Sequence, residues 1–358
     1  MSSQPPTSVI PAKRRRTDVD DASPGTPDTS TAIRYEKLWF EDGSVVLHVQ
    51  NHLYRVHRTM LSKTFETFKD MFAVPQPLDQ EMIEGCPVVH LHDDDAMDWQ
   101  YTLEALYDTL CVVFLYPASR LSNAFLAFSF FGRLGSFKCP LTTVLVPLPG
   151  ILRLCTKYRA LAIRKTCIFI LGNHFPVDSH RANYRSLKVH QHESAARTIA
   201  MARDTNAVTL LPYAFLCVAD QNRGTHNMIY DSPLLTAEDK ATALNGLYTL
   251  IRVQREHMFP FVDKFVPPSA CRRHCRPEDC FEWYHRNVDR LIWFAFQWKD
   301  DEVLFKQASE ELCPACHKMV VETFNEGRQK VWEMLPSIFR LGKDWDELRR
   351  IQNYDSDP

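Results

Sequence analysis

Five cysteines and two histidines in the C-terminal third are the residues best suited to chemistry. Cys271, Cys275 and Cys280 cluster around His274, and Cys313-Pro314-Ala315-Cys316 follows with His317. Zinc takes four soft nitrogen or sulfur ligands in a tetrahedron, typically delivered as two close pairs. Cys313 and Cys316 offer one pair at C-x-x-C spacing, and two of Cys271, Cys275 and Cys280 offer the other. The expected set is Cys275, Cys280, Cys313 and Cys316, holding a structural zinc. The competing reading is small thiols filling a helix contact. Cys-Pro-Ala-Cys is also the form of a thioredoxin-type redox centre. That chemistry sits in a βαβ unit, and the pattern here contains none.

Other chemistries find little support. The chain has no G-x-G-x-x-G, Walker A or G-x-S-x-G motif, which argues against dinucleotide enzymes, P-loop NTPases and α/β-hydrolases. Glycine numbers 11 in 358 residues, well below the usual ~7% and poor material for such loops. His192-Glu193 is followed by Ala196 where a zinc protease needs its second histidine. Paired carboxylates such as Asp93 with Asp95 and Asp300 with Asp301 read as solvated loop or cap charge. Basic residues number 42 against 44 acidic ones, so no net field attracts nucleic acid. The expectation is a protein without catalytic residues. Eleven cysteines in a chain of this length, with no secretory h-region, suit a reduced, intracellular setting rather than a disulfide scaffold.

The elements that must position these groups fall into two parts. Residues 1–32 are rich in Ser, Thr, Pro and Asp and have almost nothing to bury, so they read as a disordered leader. Within them, Lys13-Arg14-Arg15-Arg16 is the kind of basic cluster that import receptors read, pointing to a nuclear or nucleocytoplasmic location. Organisation then sharpens. Val45-Val46-Leu47-His48-Val49 reads as a buried strand, Gln50-Asn51-His52 as a turn, and Leu53 to His57 as the returning strand of a hairpin. Met60, Leu61, Phe65, Phe68, Met71 and Phe72 form one helical stripe, stopped by Pro75 and Pro77. Val88 to Leu91 reads as a third strand, and Trp99, Leu103, Leu106 and Tyr107 as a helix.

This order, with Asp42-Gly43-Ser44-Val45-Val46-Leu47, then Tyr54-Arg55-Val56-His57-Arg58 and a helix ending at Met71-Phe72, resembles the BTB/POZ domain. The likeness is to the BTB-containing proteins of mushroom-forming fungi. It implies an α+β BTB fold over 33–175, and a mainly helical region over 176–358. It also implies Asp42, Tyr54, His57, Arg58, Met71 and Phe72 as motif residues of an interaction module that pairs with itself or another BTB protein. His57 reads as a packed, hydrogen-bonded residue at a helix start rather than a catalytic base. In BTB dimers the basic residue matching Arg58 pairs with an acid just before the Val-Val strand. Here that position holds Ser44, with Asp42 two residues earlier. Met82-Ile83-Glu84 has the hydrophobic-x-Glu form that BTB adaptors present to a cullin. Two alternatives follow from the resemblance: a substrate adaptor for a cullin-type ubiquitin ligase, and a nuclear transcription-regulatory protein.

Residues 109–150 interrupt this pattern without clean periodicity, and read as an insertion, for which a retained intron is one origin. Cys111 to Phe131 is apolar, but Pro117, Arg120 and Asn123 break it, so a membrane span is not expected. The helical pattern resumes at Ile151 and runs through Ile163, Cys167 and Ile170. Further helices are expected at Glu193 to Thr205, at Thr236 to His257 with a Thr-x-x-Asp cap, and along Val303 to Phe339 ending at Pro336. The aromatic run from Trp283 to Trp298 reads as a core face rather than a base-stacking platform.

Overall fold

The structure is a computed structural model that describes residues 32–75, 79–107, 145–178, 191–219, 229, 231–271, 280–286, 306 and 308–354. The basic cluster at Lys13 to Arg16 and most of the 109–150 insertion lie outside these residues. So do His274, Cys275 and the aromatic run beyond Arg286. The described chain is mixed α/β, with a five-stranded sheet near the N-terminus and a helical remainder.

The sheet is built around β2 (Val45–Val49), whose five residues are all buried. It pairs antiparallel with β3 (His52–Val56) in the register Val45↔Val56 to Val49↔His52. The connecting turn places Gln50 at φ 49°, a conformation costly for a side-chain-bearing residue. Its amide oxygen accepts the Ala96 N–H at 3.2 Å, which holds the turn in place. β1 (Ile33–Trp39) runs parallel to β3, and β5 (Cys86–His90) parallel to β2, with the short β4 (Met82–Ile83) outside it. The order is β1-β3-β2-β5-β4. Neither β1 nor β4 is expected from the sequence pattern.

Between β3 and β4, the expected single helix is two: α1 (Arg58–Thr64) and α2 (Glu66–Ala73), broken at Phe65. Phe65 is extended at φ −116°, ψ 115°, and fully buried. This lets its ring pack on Phe68, Trp99 and Tyr158 at 5.7, 5.8 and 6.4 Å. Packing overrides the continuous stripe. Val74, ahead of Pro75, leaves the helix at ψ 140°, as a residue preceding proline favours.

After α3 (Ala96–Tyr107) come α4 (Leu148–Lys157) and α5 (Leu161–Gly172), where one helix is expected. Arg159 breaks it at φ 56°, with the Ala160 N–H donating to the Cys155 carbonyl at 2.8 Å and that of Tyr158 to Leu154 at 2.8 Å. This is the left-handed helix end that glycine usually marks. With arginine there, the sequence gives no stop signal.

The remainder packs around α7 (Leu211–Ala219), all nine of whose residues are buried. Around it lie α6 (Gln191–Asp204), α8 (Ala237–His257) and α9 (Pro314–Ile338). α10 (Trp345–Tyr354) closes over the 3-10 turn Val208–Leu210. The Thr236 hydroxyl caps α8 by accepting the Asp239 N–H at 3.1 Å, as its Thr-x-x-Asp pattern implies. Pro336 does not end α9; it lies inside the last turn. The apolar interior runs unbroken from Leu38 on β1 to Leu348 on α10. Buried Arg164 on α5 joins the two parts by donating to the carbonyls of Thr205, Asn206 and Gln352 at 3.0, 3.3 and 3.4 Å.

α8 and α9 approach closely at two glycines. A Cβ on Gly246 would overlap the Phe339 ring, and one on Gly327 would overlap the backbone carbonyl of His257. A backbone atom within a helix end cannot rotate away as a side chain can. Gly327→Ala is therefore expected to lower stability by about 3 kcal/mol, the upper end of the usual overpacking range. Urea unfolding of the variant measures it, with Gly172→Ala, where nothing lies within reach of a Cβ, as the comparison.

Candidate metal centre

The thiols of Cys271, Cys280, Cys313 and Cys316 all lie within 4.8 Å of one another. Cys271, Cys280 and Cys316 are buried and Cys313 is partly exposed. Two segments deliver them. Cys271 follows a turn in which its N–H donates to the Pro268 carbonyl at 2.9 Å, and Cys280 lies on the described helical residues 280–286. Cys313 is the N-cap of α9 and Cys316 its third helical residue, with Pro314 at the first position. Cap and third residue face the same side of the first turn, so the Cys313 sulfur accepts the Cys316 N–H at 3.5 Å, as a capping oxygen would. The C-x-x-C spacing thus has a local cause in helix geometry.

The donor set suits a metal. A tetrahedral zinc with bonds of about 2.3 Å holds its sulfurs roughly 3.8 Å apart. Thiols already within 4.8 Å need only small adjustments to reach that. Burial pushes the Cys316 thiol well above its ordinary range, and hydrogen bonds with Cys271, Cys313 and Cys280 add to this. The Cys313–Cys316 pair follows helical residues 308–311 rather than a strand, so it lacks the strand-to-helix turn on which a thioredoxin-type centre is built. The helix N-terminus would favour thiolate once a metal displaces the protons.

The quartet differs from the expected one at one corner. Cys271 joins Cys280, Cys313 and Cys316, while Cys275 lies outside the described residues. Cys271 and Cys280 stand nine apart, outside the short ligand spacings that sequence patterns mark. His317 is not among the clustered ligands; its N–H donates to the Cys313 carbonyl at 2.9 Å within the helix. Trp283 and Tyr284 are buried next to this region, and Tyr284 stacks on Phe265 at 5.5 Å.

The motif residues of the sheet half serve packing and capping. Tyr54 is fully buried and its hydroxyl donates to the Ala96 carbonyl at 2.8 Å. His57 is the N-cap of α1; its N–H donates to the Tyr107 oxygen at 2.9 Å, and its Nε2 lies 3.1 Å from Asp42. In the neutral ring the accepting carboxylate places the proton on Nε2, which leaves Nδ1 to accept the Tyr107 hydroxyl at 3.1 Å. This contact holds the Asp42 carboxyl below its usual range. Ser44 accepts the Arg58 N–H at 2.9 Å, while the Arg58 guanidinium turns to the Phe72 carbonyl and lies over the Phe72 ring at 4.7 Å. Arg58 therefore faces α2 rather than an acid before β2. Met71 and Phe72 are partly buried against the core. Met82 is exposed, but Glu84 pairs with Arg34 at 2.6 Å and Arg55 at 3.0 Å. Asp95 caps α3, accepting the N–H groups of Met97 and Asp98 at 2.9 and 3.1 Å.

No helix among the described residues is long and apolar enough to cross a membrane. Comparison with protein-family profiles, curated proteins and solved structures finds no match for this chain.

Proposed function

We propose that this chain is a non-catalytic protein-interaction module of the BTB class, with its helical half closed by a structural zinc on Cys271, Cys280, Cys313 and Cys316. The observation that carries the zinc is the convergence of four thiols from two separate segments. Four sulfurs fill a tetrahedron, leaving no position for substrate, and such closed sites serve folding rather than turnover. When bound, zinc would tie the 271–280 segment to the first turn of α9.

The interaction reading rests on the hairpin, paired helices, strand and helix that surround the BTB-like motif. Its self-association surface would lie at the sheet edges, where Ile33 on β1 and Met82 on β4 are 54% and 55% exposed. Edge strands with exposed apolar residues are ready sites for pairing. Sedimentation equilibrium of the full chain is the test. A dimer weakened by Ile33→Asp supports the reading; a monomer at high micromolar concentration overturns self-association.

A further inference from the structure

Three histidines meet on the sheet face that also carries Val46 and Val88. His48 on β2 and His90 on β5 are direct partners in the parallel register. His92 lies two residues beyond His90, in the turn that follows β5. The rings of His90 and His92 stack with centroids 5.6 Å apart and planes 5° from parallel. His48 Nδ1 and His90 Nδ1 are 3.1 Å apart, and His90 Nε2 lies 2.8 Å from a Glu81 carboxylate oxygen.

The proton inventory makes this arrangement informative. Glu81 only accepts, so a neutral His90 carries its proton on Nε2 and turns the Nδ1 lone pair toward His48. In the metal-free chain a neutral His48 donates its Nδ1 proton across this contact, and a divalent ion bound to both nitrogens would displace that proton. The nitrogens are close to the roughly 3.3 Å expected for two ligands of a tetrahedral zinc with Zn–N bonds of about 2.0–2.1 Å. A carboxylate holding the far N–H of a ligating imidazole is the usual outer support of such a site.

We propose that His48, His90 and His92 form a second metal site, for a divalent ion of the zinc, nickel or copper class, with Glu81 orienting His90. His92 is exposed and reaches the ion by side-chain rotation. Water completes the coordination. Imidazole nitrogens suit these ions, and the site is chemically distinct from the cysteine quartet.

The test is metal analysis of the tag-free full-length chain after equilibration with zinc. The wild type should retain a second zinc that His90→Gln/His92→Gln loses. Both positions are at least partly exposed, and circular dichroism checks that the variant is folded. Glu81→Gln should weaken the second site about 10–100-fold. Loaded with copper, the wild type should show nitrogen hyperfine structure in its electron paramagnetic resonance spectrum, absent in the double variant. Thiolate-to-cobalt charge transfer in the cobalt-loaded chain reports the cysteine site separately, so failure of one site is distinguishable from failure of the other. The proposal is overturned if the wild type holds no second ion, or if the double variant keeps it. It is equally overturned if nitrogen NMR of the zinc-equilibrated chain still finds a proton shared between His48 and His90.

Discussion

Stripping metal with a strong chelator is expected to unfold the region around Cys271, Cys280 and the start of α9, and to lower overall stability by several kcal/mol. The ceiling is the ~10–16 kcal/mol that structural zinc contributes in isolated zinc-finger peptides. This chain keeps a large apolar interior without the metal, so the loss should fall well short of that. In the metal-free state, buried thiols such as Cys316 hold their protons, and zinc must displace them. Affinity should therefore fall as pH falls. Hydrogen exchange should show the first turn of α9 losing protection while β2 and β3 keep theirs. Cys316→Ser should reproduce the effect without chelator. Cys86→Ser tests specificity, because Cys86 is also buried but lies on the sheet, where its thiol donates to the Gly43 carbonyl. It should leave metal content unchanged.

Replacing Asp94 by alanine is expected to destabilise the sheet half by about 3 kcal/mol. The Asp94 side chain is 3% exposed, yet it receives three donors. Trp99 Nε1 donates at 2.7 Å and the Tyr158 hydroxyl at 2.5 Å to one oxygen, and Lys157 donates at 2.7 Å to the other. Lys157 is 47% exposed and returns to water when its partner is lost, so it adds little. Trp99 and Tyr158 are buried among Phe65 and Phe68 and have no such recourse. Burial and the neighbouring Asp94 carboxylate hold the Tyr158 hydroxyl firmly protonated, well above its ordinary range. Asp94→Asn keeps one acceptor and should cost roughly half as much, and Tyr158→Phe about 1 kcal/mol. A urea midpoint that falls at constant slope would mark a change in stability alone. A cost near zero for Asp94→Ala would contradict this network.

The contrast between these two sites shows what the sequence made legible. The β2–β3 hairpin, the strand near Val88 and the helix of Trp99 are local, and their apolar spacing alone defines them. The Thr236 cap and the Cys313–Cys316 pair are also local, since both follow from the first turn of a helix. The breaks at Phe65 and Arg159 carry no punctuating residue. Tertiary packing of one ring sets the first, and a left-handed arginine the second. α7 is buried on every side and so has no polar face to give it a period. Cys271 stands outside the expected set because its nine-residue spacing from Cys280 marks no ligand pair, and only the folded chain brings it beside the other three. The meeting of His48 with His90 depends on a parallel register, which no stretch of sequence displays.

X-ray absorption at the zinc edge, on chain carrying one zinc per polypeptide, tests the four-thiol site most directly. The proposed zinc quartet gives a single shell of four sulfurs at about 2.3 Å and no nitrogen or oxygen in the first shell. A mixed sulfur and nitrogen shell, or a chain purified folded and stable with no zinc, would contradict it.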